Sequence, residues 1–311
     1  MILDNLKTFF GLPVSDFKPG DTLEQPGAAA VRVRLDWDDY DAKKSIADAL
    51  QALFEQPGAD QVSALVVGDW GGAGEGNGIE PVIEILVGAA DKLPNLKALF
   101  LADMTSEECE VSWITQGDLS PLWSAYPALE ELGVRGSQDL TLGRCDMPQL
   151  KKLVIETGGL PPEVVGEVAQ ANLPALEHLE LWLGTPDYGG DTTVADLLPI
   201  LNGGRFPNVR YLGLRNAELA DEIAKVVGDS AITPQLELLD LSLGTLRDEG
   251  ALALAASNNL GHLTKLDVHH HFMTDAGIEA LRGLGVALDA SDQQEPEKYR
   301  DETYYYVSVS E

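Results

Sequence analysis

A chain of 311 residues with 51 acidic against 21 basic side chains, a formal charge of −30, repels phosphate backbones and anionic lipid head groups, which argues against generic binding to nucleic acid or to a membrane surface. Apolar residues make up 44% of it, enough for a sizeable core, but 311 residues exceed one ordinary core, so a single domain here needs an elongated one. The two cysteines, Cys109 and Cys145, stand in no metal-ligand spacing, so a disulfide framework is ruled out and both read as reduced core residues of a cytoplasmic protein.

The opening MILDNLKTFFGLPVSDF has neither a basic n-region nor a long apolar run, and the expectation is no secretory signal and no membrane span. Pro13, Pro19, Gly20, Pro26 and Gly27 interrupt residues 1–28 too often for a long helix. That stretch is expected to cap the first repeat. AVRVRLDW at 30–37 alternates Val31, Val33 and Leu35 with Arg32 and Arg34, the period of a strand with one buried face. KKSIADALQALFEQ at 43–56 sets Ile46, Ala49, Leu50, Leu53 and Phe54 on one stripe, an amphipathic helix ending near Pro57 and Gly58.

A strand pattern then recurs: VSALVV at 62, LKALFL at 96, LEELGV at 129, LKKLVI at 150, LEHLEL at 176, VRYLGL at 209, LELLDL at 236 and LTKLDV at 263. The spacings are 34, 33, 21, 26, 33, 27 and 27 residues, and GVALDA at 285–290 reads as a final, shorter strand. Six of the eight begin with a lead such as LPNL, MPQL or FPNV, whose proline restrains the chain to an extended approach. Helical patterns fall between them at 81–93, 163–173, 196–204, 217–228 and 246–257, whereas the 21-residue unit around 129–149 has room for a turn only.

The period and the LxxLxL pattern together resemble the leucine-rich-repeat family, in its ribonuclease-inhibitor-like subfamily, and the irregular repeats and acidic chain look like one of its bacterial members. The resemblance implies an α/β solenoid: a curved parallel sheet on the concave side, helices on the convex side. No single unit buries both its strand leucines and its helix stripe, so neighbours must stack into one continuous core. The organisation expected is a cap with the first strand and helix over 1–60, repeats over 61–290, and an acidic tail over 291–311. In that tail Tyr304, Tyr305, Tyr306, Val307 and Val309 suit a strand closing the edge of the last repeat.

Inside each unit the leucines point inward and the residues between and after them point out from the sheet. The outward positions are small and apolar in the N-terminal third (Ala64, Val66, Ala98, Phe100). In the C-terminal half they carry Glu180, Trp182, Tyr211, Arg215, Asp240, Asp267 and His269. Trp, Tyr and Arg dominate binding energy at interfaces, so these seven residues are the candidate site for a protein partner. The same positions also suit a solvated sheet face with local ion pairs.

The triplet His269, His270, His271 offers an alternative. On an extended backbone Asp267, His269 and His271 share one face, and with Asp240 on the neighbouring strand they suit a zinc site, with hydrolysis as its chemistry. The glycine-rich GGAGEGNG at 71–78 lacks the Lys-Ser/Thr that closes a phosphate loop, and no serine or cysteine stands in a nucleophile motif. The leading expectation is a non-enzymatic protein-binding scaffold with no cofactor. A third reading, a structural component whose acidic surface meets a basic partner, predicts an association that weakens as salt rises.

Overall fold

Each LxxLxL segment becomes a strand that starts two residues after its first anchor, and the anchors themselves (Val62, Leu96, Leu129, Leu150, Leu176, Val209, Leu236, Leu263) are buried. The computed structural model describes residues 1–23 and 25–310. They divide into two units, one of residues 1–156 with 170–173, the other of residues 157–169 with 174–310.

In the first unit a short antiparallel hairpin, β1 (Thr8–Phe9) and β2 (Leu12–Asp16), leads into parallel strands paired in chain order. These are β3 (Ala30–Val33), β4 (Ala64–Val67), β5 (Ala98–Leu101), β6 (Glu131–Arg135) and β7 (Lys152–Glu156). Helices α1 (Trp37–Asp41) and α2 (Ile46–Phe54) follow β3, α3 (Glu80–Gly88) follows β4, and α4 (Pro121–Ala125) follows β5. The stripe of α2 is buried as its spacing predicts, and Ser45 caps the helix by accepting from the Asp48 amide. No helix joins β6 to β7 among the described residues, and that short unit instead buries Leu140, Leu142, Cys145 and Met147 in bridged turns.

The second unit opens with α5 (Pro162–Gln170) and pairs β8 (His178–Gly184), β9 (Tyr211–Ala217), β10 (Leu238–Asp240), β11 (Lys265–Asp267) and β12 (Ala287–Asp289) in parallel. Helices α6 (Val194–Leu201), α7 (Ala220–Val227), α8 (Asp248–Ala256) and α9 (Asp275–Arg282) connect them. The helix α9 escapes a sequence reading because its buried residues are few, Gly277, Ile278 and Leu281, but Thr274 caps it by accepting from the Ala276 amide. Parallel strands joined by helices at a leucine-anchored period make this an α/β leucine-rich-repeat solenoid fold. No helix among the described residues is long and apolar enough to cross a membrane.

The N-terminal segment reaches beyond the first repeat. Leu6, Phe9, Phe10, Leu12 and Val14 pack against Ala30, Ala64, Val66, Ala98 and Phe100, which explains why those outward positions of β3 to β5 are apolar. The Phe9 ring meets the Phe100 ring edge-on at 5.8 Å. Gly133, opposite Phe100 in the register, leaves room for that ring, since a Cβ there would fall 2.2 Å from it. Beside this contact the fully buried Asp103 carboxylate accepts from the Leu6 amide at 3.0 Å and from Arg32 at 2.9 Å, with Arg135 at 3.4 Å. Two guanidinium groups and an amide offset the desolvation of that buried charge.

The tail meets the second unit away from β12. Strands β13 (Glu297–Tyr299) and β14 (Glu302–Tyr304) form an exposed hairpin of their own. Beyond it Val307 and Val309 are buried, the Ser308 amide donates to Leu243 at 2.8 Å, and the Asn216 carboxamide bridges the amide and carbonyl of Val309. The closing strand expected at the last edge is thus a segment laid along the C-terminal end of β9 and the loop that follows β10. Glu311, the last residue of the expected tail, lies outside the described residues.

Candidate interaction face

Register places the outward residues of the second unit in three rows. One row runs His178, Tyr211, Leu238, Lys265, Ala287, and the next runs Glu180, Gly213, Asp240, Asp267, Asp289. Trp182 and Arg215, opposite each other, begin the third, which Ser242 and His269 continue just beyond the ends of β10 and β11. The middle row is a stripe of carboxylates. Like charges directly opposite destabilise a sheet, so Asp240 beside Asp267 demands compensation from the flanking rows.

That compensation is built in. Glu180 accepts from Trp182 Nε1 at 2.7 Å and from Arg215 at 2.7 Å, with His178 at 3.2 Å. The Tyr211 hydroxyl donates to Asp240 at 2.7 Å and reaches Glu180 at 3.3 Å. Arg215 also donates to Ser242 at 2.9 Å and lies 3.3 Å from Asp240, while its guanidinium covers the Trp182 ring at 5.1 Å. The imidazole of His178 stacks on Tyr211 with centroids 3.7 Å apart. Gly213 makes this convergence fit, because a Cβ there would press within 3.1 Å of both Tyr211 and Glu180.

Burial alone would raise the Glu180 pKa, but the His178, Trp182 and Arg215 hydrogen bonds and the Arg215 charge outweigh it and hold the carboxyl down at about 2. Burial works against the Arg215 charge too, and Glu180 and Asp240 overcome it and raise its pKa. Desolvation, then the two carboxylates, push the Tyr211 phenol well above its ordinary range. At neutral pH Glu180 is therefore anionic, Arg215 cationic and Tyr211 neutral.

A second cluster adjoins it. Lys265 lies 2.8 Å from Asp267 and 3.2 Å from Asp289, and His269 Nδ1 lies 2.7 Å from the other Asp267 oxygen. Burial of Asp267 is outweighed by the Lys265 and His269 hydrogen bonds, which lower its pKa. Asp289 stands outside the predicted set, although carrying the same register into GVALDA would have found it.

All seven predicted residues share this face, but their exposure divides them. Trp182, Glu180, Asp240 and Asp267 are buried, while Tyr211, Arg215 and His269 are half-buried. The zinc set is corrected. The chain turns after β11, with His270 at φ 56°, so His271 is fully buried, its Nδ1 accepting from the Met273 amide and its Nε2 lying 3.2 Å from the Ala290 carbonyl. Asp240 is taken up by Arg215 and Tyr211. Asp267, His269 and Asp289 do draw together, but the Lys265 ammonium already bridges the two carboxylates.

Away from this face, Asp39 closes the start of α1 by accepting from the Asp36 amide and pairs with Lys44, and Glu108 pairs with Arg34 at 2.6 Å.

No family model matches the chain, and no curated protein does. Among solved structures it is similar to a Bacteroides fragilis protein determined by a structural genomics consortium, with 32% identity and a TM-score of 0.81 over 89% of this chain and 76% of that one. It also matches an internalin of Listeria monocytogenes at 14% identity and a TM-score of 0.40, over 86% of this chain and 72% of that one. A leucine-rich-repeat protein of Leptospira interrogans matches at 15% and 0.36, over 77% and 51%.

Proposed function

We propose, from the premise that this chain belongs to the same family as the Bacteroides fragilis protein, that it is a non-enzymatic scaffold of the cytoplasm that recognises a protein partner on the sheet face of its second unit. The observation that carries this reading is the locked arrangement around Glu180. A partner meeting side chains already held by mutual hydrogen bonds loses little further conformational entropy on their side.

The residues offered to the partner are the half-buried ones, His178, Tyr211, Arg215, Lys265 and His269. The buried Trp182, Glu180, Asp240 and Asp267 act beneath them as supports. A stripe of carboxylates with two fixed cations favours a partner whose surface carries hydrogen-bond donors and basic groups in a matching row.

The test is capture from native extract with wild type and with a Tyr211→Phe, His269→Ala variant, followed by affinity measurement on the partner so identified. Unchanged melting of the variant confirms that it folds. Loss of the partner supports the face as the binding surface, and a partner held equally by both proteins refutes it.

A further inference from the structure

The first unit carries a cleft of about 990 Å³ that the proposed interaction face does not use. Three connections wall it: the turn from β3 into α1, the loop at 69–77 after β4, and the loop at 105–109 after β5. These walls are tied down. Asp69 accepts from the Tyr40 hydroxyl and from the Gly71 amide, Trp70 Nε1 donates to the Asn77 carbonyl at 2.9 Å, and Arg34 bridges Glu108 and Asn5. Gly71, Gly72 and Gly76 take positive φ, so the glycine-rich run is a shaped wall.

Two features of the lining are unspent. The Trp37 indole is 79% exposed at the rim, 6.2 Å from the ring of Tyr40. The charges do not cancel. Among the described residues Arg34, Lys44 and Asp36 are engaged with Glu108, Asp39 and Lys18, whereas Asp41, Glu75 and Glu107 have no ion pair. With Asp69, whose carboxylate accepts only neutral donors, that leaves four carboxylates against the single unpaired ammonium of Lys43.

We infer that this cleft binds an organic cation, an ammonium or guanidinium carried by a free polyamine or by a peptide side chain. The cation lies against the Trp37 face, where the ring quadrupole attracts it, and its N–H groups donate to Glu75 and Glu107. A volume of this size accommodates a ligand larger than an ion and smaller than a folded domain. The site is independent of the face proposed above.

Calorimetric titration with N-acetyl-arginine amide and, separately, with spermidine tests it. One-to-one saturable binding of either is expected, weakened about tenfold by Trp37→Ala and by Glu75→Gln with Glu107→Gln. Arginine amide bound in preference names a peptide side chain as the source, and spermidine bound in preference names a free polyamine. A chain of charge −30 also attracts cations diffusely. Trp37→Ala leaves that charge untouched, so an unchanged affinity in this variant overturns the proposal. Failure of both probes to saturate, or equal binding of the uncharged citrulline analogue, overturns it as well.

Discussion

The Arg215 guanidinium lies over the Trp182 indole, 5.1 Å from the ring centroid, while donating to Glu180 at 2.7 Å. One side chain thus closes the aromatic and the ionic halves of the face. Removing it uncovers the indole and strands two buried carboxylates.

Arg215→Ala is accordingly expected to cost about 3–5 kcal/mol, the range for breaking a buried ion pair from one side. Arg215→Lys keeps the charge but not the planar fork or the stack, and should recover only part of the loss. Urea midpoints of the two variants check this. Equal, small effects would mean that the network contributes little.

The depressed Glu180 pKa makes stability depend on acid. The unfolded carboxyl titrates near its ordinary value of 4.5 and the folded one at about 2, so between these values the unfolded chain binds the extra proton. Stability from this group is therefore fully present above pH 4.5 and is lost as pH falls towards 2, on the order of 3 kcal/mol in all. Asp267 acts in the same direction, and its share is lost as pH falls below its ordinary value of 3.8. Unfolding free energy measured from pH 6 downward should fall less steeply in Glu180→Gln than in wild type.

The contact between Phe100 and Gly133 predicts a non-additive pair. Gly133→Ala forces a methyl to within 2.2 Å of the ring and should cost about 1–3 kcal/mol, yet be close to neutral when Phe100→Ala is already present. Phe9→Ala should loosen the N-terminal segment and cost about 3 kcal/mol. A double-mutant cycle by thermal unfolding measures the coupling, and additive costs would place the strain elsewhere.

Zinc should not stabilise the protein through Asp267, His269 and Asp289, because the Lys265 ammonium occupies the space between the carboxylates. An ion held at a hundred times its dissociation constant would add about 2.7 kcal/mol, a plain rise in melting temperature. Lys265→Met frees the two carboxylates, so a zinc-dependent rise there and not in wild type would identify the ammonium as the obstacle.

Strand positions, their faces and the rows they form were legible in the amino-acid pattern, because a leucine period has one stacking solution and alternation then assigns each side chain a face. Glu180, Trp182, Arg215 and Asp240 could be named together for that reason. What alternation cannot specify is which side chains bury one another, and that separated buried residues such as Trp182 from half-buried ones such as His269. Nor does a local pattern hold once the backbone leaves the strand: the turn at His270 sent His271 into the interior and dissolved the zinc set. The N-terminal segment on Phe100, the tail on Asn216 and the cleft beside Trp37 join residues far apart in the chain. Only tertiary packing decides such contacts, since it alone determines which apolar surface remains uncovered for a distant segment to fill.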